Sequence, residues 1–203
     1  MNILCFDTCL NKTYVNLNET SKIVENTESK YHSAFLISTI KDILIENGLT
    51  SDDIDIIATN VGPGSFTGIR ACVTVARVFA QAKDINVCPV SSLEILSKLS
   101  DKKRVFVGLD ARKNSVYAAS YEFGECIIKP QVMSLADFEK IFREYDEVIT
   151  DDYLASMFST VPYQSINSDL GAILYKIAKN KPTVKWSMLE PLYLQPPPVS
   201  LKK

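Results

Sequence analysis

The sequence predicts an α/β protein built twice on one plan, and three observations carry that reading. Apolar strands and amphipathic helices follow the same order in each half: three strands, a helix, a strand and a helix. A polar stretch, SDKK at 100–103, separates the two runs. The segments FDTCLNKTY and LDARKNSVY each place an aspartate at the end of a strand, an asparagine four residues later and a tyrosine seven later (Asp7, Asn11, Tyr14; Asp110, Asn114, Tyr117). The expected organisation is two βββαβα domains with mixed sheets: an N-terminal domain over 1–100 and a reduced C-terminal domain over 101–203.

The elements follow from pattern and punctuation. NILCF at 2–6 is an apolar run ending at Asp7, and TYVNLN alternates like a strand. Residues 22–27 make a third strand. Between Ser33 and Asn47 the apolar positions Leu36, Ile37, Ile40, Ile43 and Leu44 keep helical spacing, and Asn47-Gly48 is a stop signal. IDIIAT at 54–59 is a buried strand, and a second helix runs from about Ile69 to Lys83. NVCPV is a short strand, and Ser91 with Glu94 gives a capping-box start to SSLEILSKL. In the second half RVFVGLD, SVYAASYEF, CIIK and EVIT read as strands. SLADFEKIFREY, capped by Ser134, and DLGAILYKIAKN read as helices. Three consecutive prolines at 196–198 can continue neither a helix nor a central strand.

Composition narrows the function. The chain has 203 residues, 46% of them hydrophobic and 23% charged, with a formal net charge of -2. That is ordinary for a globular protein with a real core. It lacks the concentrated basic surface of an autonomous nucleic-acid binder. The short basic clusters (Lys102, Lys103 and Arg104; Arg112 and Lys113; Lys202 and Lys203) read as solvated surface charge. Five cysteines (Cys5, Cys9, Cys72, Cys88, Cys126) without CxxC spacing suit reduced, partly buried thiols in a cytoplasmic protein. No apolar run reaches the ~18 residues of a membrane span, and MNILCFDT has no basic leader region.

Two copies of a βββαβα unit describe the actin-like / RNase H-like (ASKHA) fold of actin, sugar kinases and Hsp70-type ATPases. There, two acid-bearing hairpins hold nucleotide phosphates, and glycine beside the acid lets backbone approach phosphate. Here Thr8 and Cys9 follow the first aspartate, and Ala111 and Arg112 the second, so both hairpins read as structural. The segment VGPGSFTGIR at 61–70 has neither the GK[ST] ending of a Walker loop nor GxGxxG spacing. Its N–H groups can still meet an anion at the helix start. The other reading is a tight turn in which Gly62 and Gly64 supply unusual φ, Pro63 the bend, and Ser65 or Thr67 a cap. The following helix is apolar nearly all round, with a narrow polar stripe of Arg70, Thr74, Arg77 and Gln81. It is expected to be buried on more than one side, as a central core helix or against another chain. The single histidine, His32, reads as a surface or helix-start residue, without HxxxH or HExxH company for a metal.

The segments ILCFDT, YHSAFL, VGPGSFTGIR, PVSSLEIL, VGLDARKNSVYAASY and LEPLYLQ together resemble the TsaB (YeaZ) family of the actin-like fold, nearly end to end. The resemblance implies a non-catalytic subunit in making threonylcarbamoyladenosine at position 37 of tRNAs that read codons beginning with A. It implies the partners TsaD, which carries the metal and transfers the threonylcarbamoyl group, and TsaE, an ATPase. ATP and metal would then sit on those subunits, with no cofactor held by this chain alone and tRNA touched only in the full complex. In TsaD-like chains an HxxxH motif helps hold the metal; Ser92 and Leu96 stand at those positions here. The family pairs through the two helices at 33–47 and 69–83, and self-associates through the same surface. That carries over to Ile37, Ile40, Lys41, Leu44, Arg70, Val73, Thr74 and Arg77 as partner-binding residues. Gly62, Pro63, Gly64 and Gly68 form the turn that sets the helix, and Arg112 is an anion contact near the subunit junction. The second half is shorter than in many relatives, which bears on any contact made there by TsaE or tRNA. The rival readings are an ATPase or kinase of the actin-like fold, an M22-type metallopeptidase, and a stand-alone tRNA-binding module.

Overall fold

The computed structural model describes residues 1–25 and 35–195. His32, the start of the helix expected from Ser33, the end of the strand expected over 22–27, the prolines at 196–198 and Lys202–Lys203 lie outside the described residues. Two mixed sheets form. The first takes β1 (Ile3–Asp7), β2 (Lys12–Leu17), β3 (Thr20–Glu25), β4 (Ile56–Asn60) and β5 (Asn86–Val90). The second takes β6 (Arg104–Asp110), β7 (Ser115–Glu122), β8 (Glu125–Ser134), β9 (Glu147–Thr150) and β10 (Val161–Pro162). The helices are α1 (Leu36–Glu46), α2 (Phe66–Lys83), α3 (Ser92–Ser97), α4 (Leu135–Ile141), α5 (Asp152–Met157) and α6 (Leu170–Ala178).

The duplication is plain in the strand order. The first sheet runs β5-β4-β1-β2-β3 and the second β10-β9-β6-β7-β8, each with an antiparallel meander joined to parallel strands. This is the duplicated actin-like plan. The repeat is longer than the expected βββαβα: each half closes with a further strand and helix, β5–α3 and β10–α6. The short α5 and β10 escaped the sequence reading because six residues and two residues carry no measurable period.

Alternation along the central strands sorts the layers. In β1, Leu4 and Phe6 face one core, with α1 and α2, while Cys5 faces another. In β6, Val105 and Val107 face that same second core, and Phe106 faces a third with Phe138 and Phe142. The result is five layers: α1 and α2, the first sheet, α3 and α6, the second sheet, then α4 and α5. The middle layer is exchanged: α3 packs on β6 and β7 of the other half, and α6 packs on β1, β2, β4 and β5. Each half therefore completes the core of the other.

The chain's last described segment returns to the first sheet. Strand β11 (Val184–Lys185) pairs antiparallel with the edge of β5, a short 3₁₀ turn at Trp186–Met188 lies against α2, and Leu189 is fully buried in the α1/α2 core. This meets the expectation that α2 is buried on more than one side: the sheet covers one side, and part of the excess apolar surface (Val75, Phe79) joins a cluster with the chain's own Trp186 and Leu192.

Caps follow the sequence closely. Ser65, Ser91, Ser134 and Asp169 each accept a backbone N–H three residues on. Because Ser65 is the cap, α2 begins a turn earlier than expected. Leu189→Ala is expected to remove about 2–4 kcal/mol of stability, since a fully buried side chain loses its contacts and leaves a cavity; urea unfolding of the variant measures it.

Candidate functional site

One side of the glycine loop is pressed onto the first hairpin, while Gly64, Ser65, Phe66 and Thr67 are exposed on the other. A Cβ on Gly64 would lie 2.4 Å from the Cys9 carbonyl oxygen, and one on Gly68 would lie 2.0 Å from that of Thr8. Both contacts are with backbone, which cannot swing aside. Gly64 and Gly68 are therefore required by close approach. Of the two glycines expected to supply unusual φ, only Gly62 does, at +103°. Gly68 belongs to the first turn of α2 and not to the loop, because helix geometry starts immediately after the Ser65 cap.

A buried polar network locks the contact. Asn60, at the end of β4, donates Nδ2 to Asp7 Oδ2 at 2.9 Å and accepts at Oδ1 from the Gly62 N–H at 2.8 Å and from Ser92 Oγ at 3.0 Å. Asp7 Oδ1 accepts from the Cys9 N–H at 2.6 Å. Ser65 N–H donates to the Cys9 carbonyl at 2.8 Å, and the Thr8 hydroxyl donates to the Gly68 carbonyl at 2.9 Å. Burial raises the Asp7 carboxyl above its ordinary range, against the opposing pull of the Asn60 and Cys9 hydrogen bonds. The space a phosphate would need beside the first acid is filled by Thr8, Cys9 and the start of α2.

The second hairpin is built differently. Asp110 pairs with Val116, whereas Asp7 pairs with Tyr14, so the turn is one residue tighter despite the matching spacing. The tightening falls on Arg112, Lys113 and Asn114, whose φ values are 61°, 50° and 58°. The Arg112 N–H donates to Asp110 Oδ1 at 2.8 Å, while its side chain reaches solvent beside a cavity of about 300 Å³ lined also by Lys113, Asn114, Ser115 and Tyr153.

The expected partner-binding residues divide by face. Lys41, Arg70, Thr74 and Ile37 are exposed and Arg77 is half-buried, all on the outer layer. Ile40, Leu44 and Val73 are corrected: they point into the chain's own core, at 5%, 7% and 4% exposure, because they lie on the stripes that cover the sheet. The apolar surface of this layer comes instead from Ile37 (62% exposed), Ile45 (63%) and Val78 (61%), with Phe35 and Phe66 at its ends. Ile45 and Val78 were recoverable from sequence by asking which apolar residues fall off the core stripe. Arg70 is held in place by the returning C-terminal segment: its guanidinium sits 3.9 Å over the Phe66 ring, its Nε donates to the Tyr193 hydroxyl at 3.2 Å, and Tyr193 stacks on Phe66 at 5.4 Å. The positions compared with an HxxxH pair hold a buried hydroxyl at Ser92, bonded to Asn60, and a fully buried isobutyl group at Leu96, which are not an imidazole pair.

The strand orders and the paired hairpins define the class: a duplicated actin-like protein whose first hairpin is closed by its own loop. A family model described as TsaD: tRNA N6-adenosine threonylcarbamoyltransferase matches residues 15–172, and the chain belongs to that family, on its TsaB (YeaZ) side. It is 33% identical to the tRNA threonylcarbamoyladenosine biosynthesis protein TsaB of Bacillus subtilis over 59% of this chain and 55% of that one. It is 29% identical to the protein of the same name from Escherichia coli, over 66% and 64%. The matched segments thus span somewhat more than half of these relatives' length. The fold is that of YeaZ from Pseudomonas aeruginosa, with a TM-score of 0.75 at 23% identity, covering 95% of this chain and 99% of that one. No helix among the described residues is long and apolar enough to cross a membrane.

Asn60 joins three elements, so truncating it strands several buried polar groups at once. Asn60→Ala is expected to cost about 3–5 kcal/mol, read by thermal and urea unfolding.

Proposed function

We propose that this chain is the non-catalytic, dimerising subunit of a tRNA threonylcarbamoyltransferase complex. It binds and activates a TsaD-type subunit in the synthesis of N6-threonylcarbamoyladenosine at position 37 of tRNAs reading codons that begin with A. TsaE joins the pair, ATP and the catalytic metal reside on TsaD and TsaE, and tRNA is met only by the assembled complex. The observation that carries the reading is the outer layer of α1 and α2, where Ile37, Ile45 and Val78 are each more than half exposed among Lys41, Thr74 and Arg77. Three large apolar side chains on one layer, rimmed by charge, have the composition of a protein interface. The same layer serves self-association when the partner is absent. Arg112, at the tight second hairpin, is the anion contact of the assembly.

The filled first hairpin supports a non-catalytic chain over a kinase or ATPase, since Thr8 and Cys9 occupy the place where phosphate would meet backbone. The kinase reading predicts ATP binding by the isolated chain, and calorimetry with Mg-ATP discriminates between the two.

Light scattering of the chain mixed with its cognate TsaD is expected to give a complex that Ile37→Glu and Val78→Glu each weaken about tenfold or more, with circular dichroism unchanged. Val73→Glu is expected instead to unfold the chain, because it buries an unpaired charge against the sheet. Absence of any association by the wild-type chain would overturn the subunit reading.

A further inference from the structure

We propose that Asp7, Cys9 and Cys72 form a binding site for one thiophilic divalent metal ion of the zinc class. None of the three is adjacent to a metal motif in the sequence, and Cys72 lies far along the chain from the other two. The fold brings them together: the carboxylate oxygen and the two Sγ atoms all lie within 4.8 Å of one another, and all three residues are buried. Two sulfurs and one carboxylate oxygen form a donor set suited to a borderline cation. Tetrahedral zinc with bonds of about 2.3 Å to sulfur places its ligand atoms roughly 3.8 Å apart, so the cluster closes on an ion with shifts of about 1 Å.

Two independent features favour an ion over a purely structural cluster. Asp7 is a fully buried acid whose donors are neutral: Asn60 Nδ2 and the Cys9 N–H, with the Cys9 thiol in hydrogen-bond reach as well; among the described residues no cation pairs with it. Buried carboxylates are ordinarily paired with a cation or bound to a metal. Cys72 Sγ accepts from the backbone N–H of Thr8 at 3.2 Å, and the Thr8 hydroxyl, whose proton goes to the Gly68 carbonyl, lies 3.3 Å from the same sulfur. A neutral thiol is a weak acceptor, whereas donors aimed at sulfur stabilise a thiolate. The two neutral donors also orient the Asp7 carboxylate, as outer partners of a metal ligand do. Binding of the dication displaces the two thiol protons to solvent and leaves all oxidation states unchanged. The ion would staple the β1–β2 hairpin to α2, tightening the contact through which the outer layer is positioned.

The test uses the full chain kept reduced with a phosphine, with cobalt(II) chloride as spectroscopic probe and zinc chloride as competitor, added to native protein and during refolding. The expected result is one equivalent of cobalt with thiolate-to-cobalt charge-transfer and tetrahedral d–d absorption, displaced by zinc. Cys72→Ser and Asp7→Asn are each expected to weaken binding about tenfold or more, while Cys126→Ser, at an exposed position away from the cluster, leaves it unchanged. Wild-type protein that shows no charge-transfer band under either condition overturns the proposal without recourse to any variant. So does a folded Cys72→Ser chain that binds cobalt with unchanged affinity and unchanged charge-transfer intensity.

Discussion

The structure depends on how closely α2 can approach the β1–β2 hairpin. Gly64 and Gly68 remove the two Cβ atoms that would strike the carbonyls of Cys9 and Thr8, and Asn60 ties the strand, the loop and α3 to the buried Asp7. Close packing without side-chain volume and a shared hub of hydrogen bonds act together: either alone would leave buried polar groups unpaired or backbones apart. The orientation of α2, and with it the outer layer, is set by this contact. A loop that looks built for phosphate is instead packed, through Gly64 and Gly68, against the protein's own hairpin.

The two halves are joined by exchange rather than by a simple seam. Helix α3 follows the first sheet but packs on the second, and α6 does the reverse, so one hydrophobic core draws residues such as Cys5, Leu93, Val107 and Leu174 from both. Glu94 and Lys181 pair across the same region, so the Ser91 capping box is only half made: Ser91 accepts the Glu94 N–H, while the Glu94 side chain turns to the lysine. The C-terminal segment adds a third connection. It extends the first sheet through β11, buries Leu189, and ends with the Tyr117 hydroxyl of the second half donating to Gln195 Oε1 at 3.4 Å.

That return also organises the surface proposed for docking. Arg70 packs on Phe66 and donates to the Tyr193 hydroxyl, so a residue at the start of α2 is held by a side chain more than a hundred positions away. A pre-ordered arginine forfeits less rotamer entropy on binding than a free one. The exposed apolar residues of the same layer, Ile37, Ile45 and Val78, are left uncovered by the sheet and by the C-terminal segment.

The sequence by itself determined the duplicated α/β plan, the long central strands, the helix caps and the loss of glycine beside both hairpin acids. Each of these is a local property: a period, a capping residue or a missing residue type. It also located the two helices of the outer layer, but not which side of them faces out. Ile40, Leu44 and Val73 look as available as Ile37 and Val78 until the sheet beneath is in place, because period alone does not say which apolar stripe is covered first. Only the tertiary structure decided that α3 and α6 exchange places and that the chain's own tail covers part of α2. It alone decided that Gly64 and Gly68 serve close approach where Gly62 serves positive φ, and that Asp7, Cys9 and Cys72 converge. These outcomes rest on contacts between residues distant in the chain, and no local pattern records such contacts.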